Sequence, residues 1–233
     1  MRGMMEGWKV GRWVLLSIIP SCQLSAQVGY DPSHSPYHDI PRGGVTLLAF
    51  GYLGGSRGSV GVGMSNGRTG GLRYETALGG AIGVSFGLAY AQTTRFVVDP
   101  YKDTLSRKSG PYDNAVVLAD AGLQLVLTGK KTWRGFAPYL GGALGLAVGG
   151  RSPRDTSGYD FGTKFAVMPE AGIRWYPVRR VSVRADFRMV GWKLTYPATY
   201  KYPYNQTPVL EPTAPLSEWT WHPWVTLGLG WTF

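Results

Sequence analysis

Strict alternation of large and small residues in the last ten residues constrains the fold more than any other feature. In WVTLGLGWTF, residues 224–233, every second residue is large and apolar, and those between are threonine or glycine. A period of two is typical of a β-strand. In a soluble protein, the strand face opposite the core meets water and carries long polar groups. Large apolar residues on one face and small ones on the other fit a narrow barrel, apolar outside and crowded inside.

The alternation recurs along the chain. It is found in residues 72–78, 82–90, 119–127, 140–148, 165–175 and 181–189. The apolar segment VTLLAFGYL, residues 45–53, adds a strand whose register the sequence leaves open. With the final segment this makes eight strands. In the segment 165–175, Pro169 falls within a strand on the apolar face, and we expect a β-bulge to accommodate its missing N–H group.

The connections between these strands are alternately long and short. Residues 54–70, 97–112, 149–162 and 194–218 form long connections, whereas those near 79–80, 129–135 and 177–180 are short. Consecutive strands then run up and down, with every long loop at one end. Aromatic residues concentrate towards both ends, as in the girdles of a membrane barrel. The predicted girdle residues are Trp133, Trp175, Tyr176, Trp192, Trp219, Trp221 and Trp224.

The N-terminal residues are typical of a secretory signal peptide. Arg2, Lys9 and Arg12 precede or border the apolar residues 13–19, and Leu24-Ser25-Ala26 offers a small residue at the cleavage site. We therefore predict a signal peptide at residues 1–26, a periplasmic N-terminal segment at 27–43 and a barrel at 44–233. Cys22 is the only cysteine, so no disulfide is expected; its context loosely resembles a lipobox, which leaves lipidation of Cys22 as an alternative.

Taken together, the leader, the eight alternating strands, the loop order and the final strand WVTLGLGWTF resemble the small eight-stranded outer-membrane β-barrel proteins of Gram-negative bacteria. The resemblance covers residues 44–233. It implies an all-β, antiparallel, up-and-down transmembrane barrel in the outer membrane, with short periplasmic turns and long extracellular loops. It also implies that Trp231 and Phe233 belong to a signal read by the barrel-assembly machinery.

Strand parity places a set of charged side chains inside this barrel. The interior of an eight-stranded barrel is only wide enough for side chains, and unpaired charges there would be costly. We therefore predict a plug of ion pairs, with a narrow ion path as the alternative. The predicted lumen residues are Arg73, Glu75, Asp120, Glu170, Arg174, Arg184, Asp186 and Arg188.

Few side chains are suited to catalysis. Of the three histidines, His34 and His38 precede the barrel, whereas His222 lies near its outer end, with Ser217 and Glu218 close in sequence. Its setting, EWTWHPW, favours a residue of the aromatic girdle over a catalytic base. Neither a metal-binding nor a nucleotide-binding motif is present, so we predict no metal, no cofactor and no enzymatic activity. A lipid-modifying enzyme and a soluble lipocalin-like carrier remain the alternatives.

The formal net charge of +10 indicates anionic partners. Basic runs with interleaved aromatic residues are absent, which argues against nucleic acid. We expect contacts with outer-membrane lipid and lipopolysaccharide, and a surface ligand for the long loops. The basic residues in those loops are Arg57, Arg68, Lys102, Arg107, Lys108, Arg151, Arg154 and Lys201.

Overall fold

The computed structural model describes residues 35–150, 155, 157–204 and 206–233. The predicted signal peptide, Cys22, His34, Arg151 and Arg154 lie outside the described residues. Cleavage after residue 26 and lipidation of Cys22 therefore stay predictions.

The described chain folds into ten β-strands and one short 3-10 helix. The strands are β1 (Tyr37–Asp39), β2 (Gly43–Leu53), β3 (Gly67–Gly79), β4 (Ile82–Val98), β5 (Lys108–Val126), β6 (Lys131–Trp133), β7 (Phe136–Gly149), β8 (Thr163–Val178), β9 (Val181–Thr195) and β10 (Ser217–Thr232). The 3-10 helix spans Ala198–Tyr200. None of the described residues belongs to a helix long and apolar enough to cross a membrane.

Eight of the strands close into an antiparallel ring. Its order is β2, β3, β4, β5, β7, β8, β9 and β10, and β10 pairs again with β2. Trp231 of β10 thus lies opposite Val45 on one side and Val181 on the other. Ring closure gives every long strand two neighbours and leaves no free sheet edge. The predicted fold class, an eight-stranded antiparallel up-and-down barrel, is confirmed. The short strands β1 and β6 pair with each other below the ring.

The outward face of the ring carries large apolar side chains. Leu72, Leu88, Leu144 and Leu229 are 53%, 56%, 58% and 58% exposed. Along β3 this apolar face lies between Arg68 and Leu78. A tilted β-strand needs about 9–11 residues to cross the bilayer core, so the length of this apolar band along β3 matches the thickness of a bilayer core. β4 and β5, with 17 and 19 residues, are longer than the band and continue beyond it at the long-loop end.

This extension shortens the second long loop relative to the prediction. Val98 pairs with Lys108, so the connection comprises residues 99–107 and not 97–112. Gly110 and Pro111, which the prediction included in the loop, lie within β5.

The register of β2 contains a β-bulge. Leu227 pairs with Phe50 and Gly228 pairs with Leu48, so Ala49 is an extra residue. The pairing with β3 is displaced over the same stretch. Ala49 and Phe50 are both exposed, whereas Leu48 and Leu53 both point inward. The bulge is the physical reason why the alternation of this strand could not be read from the sequence.

The predicted bulge at Pro169 is wrong. Pro169 is exposed and lies in register with Gly142 of β7. Towards β9 the pairs Val167–Gly191 and Glu170–Arg188 are both formed, and each strand advances by three residues between them. The missing N–H of the proline therefore interrupts the ladder locally without inserting a residue.

Candidate functional site: the lumen and its two ends

All eight predicted lumen residues point into the barrel interior, where they form two linked clusters. The first cluster contains two arginines and two acids. Arg73 lies 3.1 Å from Glu170 and 3.5 Å from Asp120, and Arg188 lies 2.6 Å and 3.2 Å from the same two carboxylates. These four side chains are at most 2% exposed. Each charge therefore touches two opposite charges, which offsets the cost of burying it.

The second cluster lies around Arg184. Its guanidinium contacts Glu75, and its Nε lies 2.5 Å from Asp186. Arg174 Nη2 lies 3.1 Å from Glu75 Oε1. The ring of Tyr139 lies between the two arginines, 4.7 Å from Arg174 and 4.9 Å from Arg184, and its hydroxyl contacts Asp186. Cation–π contacts thus supplement the ion pairs.

Two uncharged side chains complete the network, and the site prediction omitted both. Gln124 donates to Glu170 Oε1 at 2.7 Å and accepts a hydrogen bond from Arg174, so it joins the two clusters. Tyr139 accepts from Arg184. Both residues have the inward parity of their strands, which is the signal that could have identified them.

Below the charged network, at the short-turn end, the lumen contains a cavity of about 560 Å³. Its wall includes Glu75, Arg174, Tyr176 and Ser182, and residues 39–42 border it. The prediction that Tyr176 belongs to the outer girdle is wrong, because this half-buried ring lines the cavity.

The girdle prediction is also wrong for two tryptophans. Trp192 and Trp224 are 0% and 1% exposed and lie inside the barrel. Their strand parity is that of Arg188 and Thr226, so clustering of aromatic residues in the sequence was the misleading signal. Trp224 covers Arg188 at 5.2 Å and donates to Thr69 at 2.8 Å.

Four predicted girdle residues do face outward. Trp133 and Trp175, 49% and 42% exposed, lie at the short-turn end, and Trp219 and Trp221, 49% and 45% exposed, lie at the long-loop end. Trp175 stacks on Phe136 at 6.0 Å, and Trp219 stacks on Trp221 at 6.4 Å.

Above the charged network, the long loops fold into the lumen and form what we call the outer cap. Phe161 contacts Trp192 edge-on at 5.5 Å, and Tyr196 stacks on Tyr200 at 6.1 Å. Burial raises the pKa of Tyr200 to about 12. The buried residues of the outer cap are Leu48, Leu53, Val62, Met64, Tyr159, Phe161, Trp192, Leu194, Tyr196, Tyr200 and Leu210.

His222 belongs to this cap and not to the girdle, so the prediction for this residue is wrong. Its ring is fully buried, 4.1 Å from that of Trp192. Nδ1 lies 3.0 Å from the Gly54 carbonyl oxygen, and Nε2 lies 3.1 Å from Thr220 Oγ1. Glu218 instead accepts hydrogen bonds from Ser59, at 2.6 Å and 2.9 Å. Within the part of the chain that the structure describes, no hydrogen bond links His222 to Ser217 or Glu218.

Metal binding has no support in the described residues, since no group of three or more His, Cys, Asp or Glu side chains is placed to hold an ion. His38 is exposed in β1 at the opposite end of the barrel from His222.

The basic residues of the long loops differ in what they contact. Arg68, Lys102 and Lys108 are exposed, as contact with lipid phosphates requires. Arg107 is buried and donates to the Pro208 carbonyl oxygen at 3.3 Å, so it joins two loops. Arg57 lies over the ring of Phe96, 4.9 Å from its centre.

No family model matches the chain, and no curated protein matches it either. Among solved structures, it is similar to Neisserial surface protein A, with 12% identity and a TM-score of 0.47 over 85% of this chain and 98% of that one. It is also similar to Ail, the attachment invasion locus protein of Yersinia pestis. The complex of Ail with the heparin analogue sucrose octasulfate gives 15% identity and a TM-score of 0.40 over 83% and 99% of the two chains. The structure of Ail in a phospholipid nanodisc gives 18% identity and a TM-score of 0.39 over 82% and 99%.

Proposed function

We propose that this protein is an integral outer-membrane β-barrel with a non-enzymatic role in surface contact through its long loops. The observation that carries the proposal is the closed ring of eight strands whose exposed face is apolar over the height of a bilayer core. A soluble carrier would place these leucines inside and a ligand cavity at its centre. Here the centre holds ion pairs, and the leucines face out.

We propose that the charged network and the outer cap act as a plug. The ion pairs fill the middle of the lumen, and aromatic and aliphatic side chains fill its outer end. Planar-bilayer recording tests this part of the proposal. Purified protein should give no steady conductance, whereas large steady currents would favour the ion-path alternative.

The surface contact is assigned to the exposed rings of the last long loop. Tyr202 and Tyr204 are 71% and 81% exposed, while Tyr200 of the same loop is buried in the outer cap. Tyrosine offers a large amphipathic contact area at a low cost in side-chain entropy. Deleting the whole loop would also damage the cap, so substitution of the exposed rings alone is the cleaner experiment.

Binding of vesicle-embedded protein to lipopolysaccharide tests this assignment. Tyr202→Ser combined with Tyr204→Ser should reduce binding with folding unchanged. Tyr37→Ser, which alters an exposed tyrosine at the opposite end of the barrel, is the matched control. Equal binding by all three proteins would contradict a role for the loop in lipopolysaccharide contact.

The enzymatic alternative makes a different prediction. His222 would have to activate a nucleophile, yet it is buried and bonded to Gly54 and Thr220. We expect no release of fatty acid from vesicle phospholipid. Release that is lost in His222→Ala would overturn the non-enzymatic proposal.

A further inference from the structure

The short-turn end of the barrel carries a group of exposed basic side chains. Arg42, Arg179 and Arg180 are exposed there, and no hydrogen bond or ion pair within the described residues engages their side chains. Three more exposed cations lie at the same end: Lys130, Lys131 and Arg134. Asp39 is the one exposed acidic side chain among the described residues of this end.

A groove of about 1170 Å³ is bordered by all three arginines. One wall is the segment at residues 39–42, and the other is the turn between β8 and β9 with the end of β10. The apolar part of the lining is well exposed, because Val178, Trp231 and Phe233 are 59%, 57% and 69% exposed. The groove therefore combines a cationic surface with an apolar one.

The apolar side chains of the groove continue the outward face of the barrel. Trp231 has the same parity as Leu229 and Leu227 of β10, both of which face outward. The arginines lie just beyond the end of this apolar face: Arg179 and Arg180 form the turn between β8 and β9, and Arg42 directly precedes β2. A ligand that touches both would have an anionic group at the level of the arginines and hydrocarbon alongside Trp231.

We propose that this groove binds an anionic phospholipid of the leaflet at the short-turn end, with its phosphate at Arg42, Arg179 and Arg180. The inference rests on the proposed membrane location, and it places a lipid contact at the end of the barrel opposite to the long loops. Guanidinium groups pair with phosphate through charge-assisted hydrogen bonds. A free anion would use the arginines alone, whereas a bilayer lipid also covers Val178, Trp231 and Phe233.

Fluorescence quenching of Trp231 by brominated lipid tests the proposal in vesicles. The fluorescence of Trp231 is obtained by subtracting the emission of the Trp231→Phe variant from that of the parent protein. Two vesicle preparations contain the same two lipids and differ in which one is brominated. Quenching of the Trp231 fluorescence should be stronger when phosphatidylglycerol is brominated than when phosphatidylcholine is. Combined Arg42→Gln, Arg179→Gln and Arg180→Gln should lower the relative binding constant for phosphatidylglycerol by about tenfold or more, because each basic group near an anionic lipid surface contributes roughly fivefold.

The matched control removes three positive charges from the opposite end, through Lys102→Gln, Lys108→Gln and Lys201→Gln. It should leave the relative binding constant at Trp231 unchanged. An equal fall in the control, or no fall in the arginine variant, would overturn the proposal. If the triple variant does not fold, Arg179→Gln alone should still weaken the preference by about fivefold, and an unchanged preference would overturn the proposal.

Two further measurements separate the remaining outcomes. Inorganic phosphate, compared with chloride at equal ionic strength, should not reduce the quenching; a specific reduction would mean that the groove takes free phosphate. Gel mobility before and after boiling reports whether the barrel is folded in the vesicles. A protein that folds and inserts but shows no preference for phosphatidylglycerol refutes only this inference, whereas one that does not insert refutes the proposed function.

Discussion

At the scale of single residues, the lumen shows how arginine can be buried inside a barrel. Each of the four lumen arginines contacts at least one carboxylate, and Arg73, Arg184 and Arg188 each contact two. Isolated charges would be expensive in this position, whereas a connected set of opposite charges with hydrogen bonds is tolerated. The network is therefore sensitive to the loss of any one member.

Arg184→Ala should lower the free energy of unfolding by about 3–5 kcal/mol, because it leaves the buried carboxylate of Asp186 without its cation and removes one of the cations beside Glu75. Equilibrium unfolding by urea in lipid vesicles, followed by tryptophan fluorescence, measures this. Lys193→Ala is the control, since this lysine is exposed and has no ion pair in the described chain; its effect should be within about 0.5 kcal/mol. Similar small effects for both variants would show that the lumen is hydrated.

Strand parity predicts which side of a sheet a residue occupies, but not which side chains meet. Parity assigns Gln124 to the interior, yet nothing in the sequence pairs it with both Glu170 and Arg174. That contact depends on how three strands are staggered. The girdle errors at Trp192 and Trp224 arose where clustering in the sequence was given more weight than parity.

At the scale of elements, β2 differs from the other strands by its bulge. Deletion of Ala49 should be tolerated, because it restores a regular alternation with Leu48 and Leu53 inward and Phe50 outward. Refolding into vesicles and measuring the fraction with heat-dependent gel mobility tests this. We expect a folded fraction close to that of the parent.

Deletion of Ala121 is the matched control for the bulge. This alanine is also exposed, but it is paired in regular register with Phe86 and Leu144. Its loss would turn Asp120 outward or Leu123 inward, since a shift by one residue exchanges the two faces. The folded fraction should fall sharply. Equal tolerance of both deletions would contradict the assigned register.

The outer cap predicts a response to alkaline pH. The pKa of Tyr200, raised to about 12 by burial, lies above its unfolded value of about 10. The folded state therefore favours the neutral ring, and this contribution to stability is present below pH 10 and is lost as the pH rises towards 12. Melting temperatures should fall over this window, and less so in Tyr200→Phe. If the melting temperatures of the parent and of Tyr200→Phe depend on pH in the same way, the ring of Tyr200 is not buried.

At the scale of the whole molecule, the interior has three levels from the short turns to the long loops: a cavity, a network of ion pairs and a cap made mainly of aromatic and aliphatic side chains. The number of strands, their direction and the loop order could be predicted, because alternation is periodic over each strand. The cap could not, since Val62, Phe161 and Leu210 lie in irregular segments where no period shows which side chains are buried.

The central claim is that the apolar face of the ring contacts lipid. Spin labels on single cysteines at Val225, Leu227 and Leu229, compared with Trp224 on the inward side, test it most directly. In vesicles, oxygen, which partitions into hydrocarbon, should collide frequently with labels at the three outward positions and rarely at position 224, and a water-soluble nickel complex should reach none of them. High access of the nickel complex at positions 225, 227 and 229, without enrichment of oxygen, would show that this face meets water and would contradict a membrane barrel.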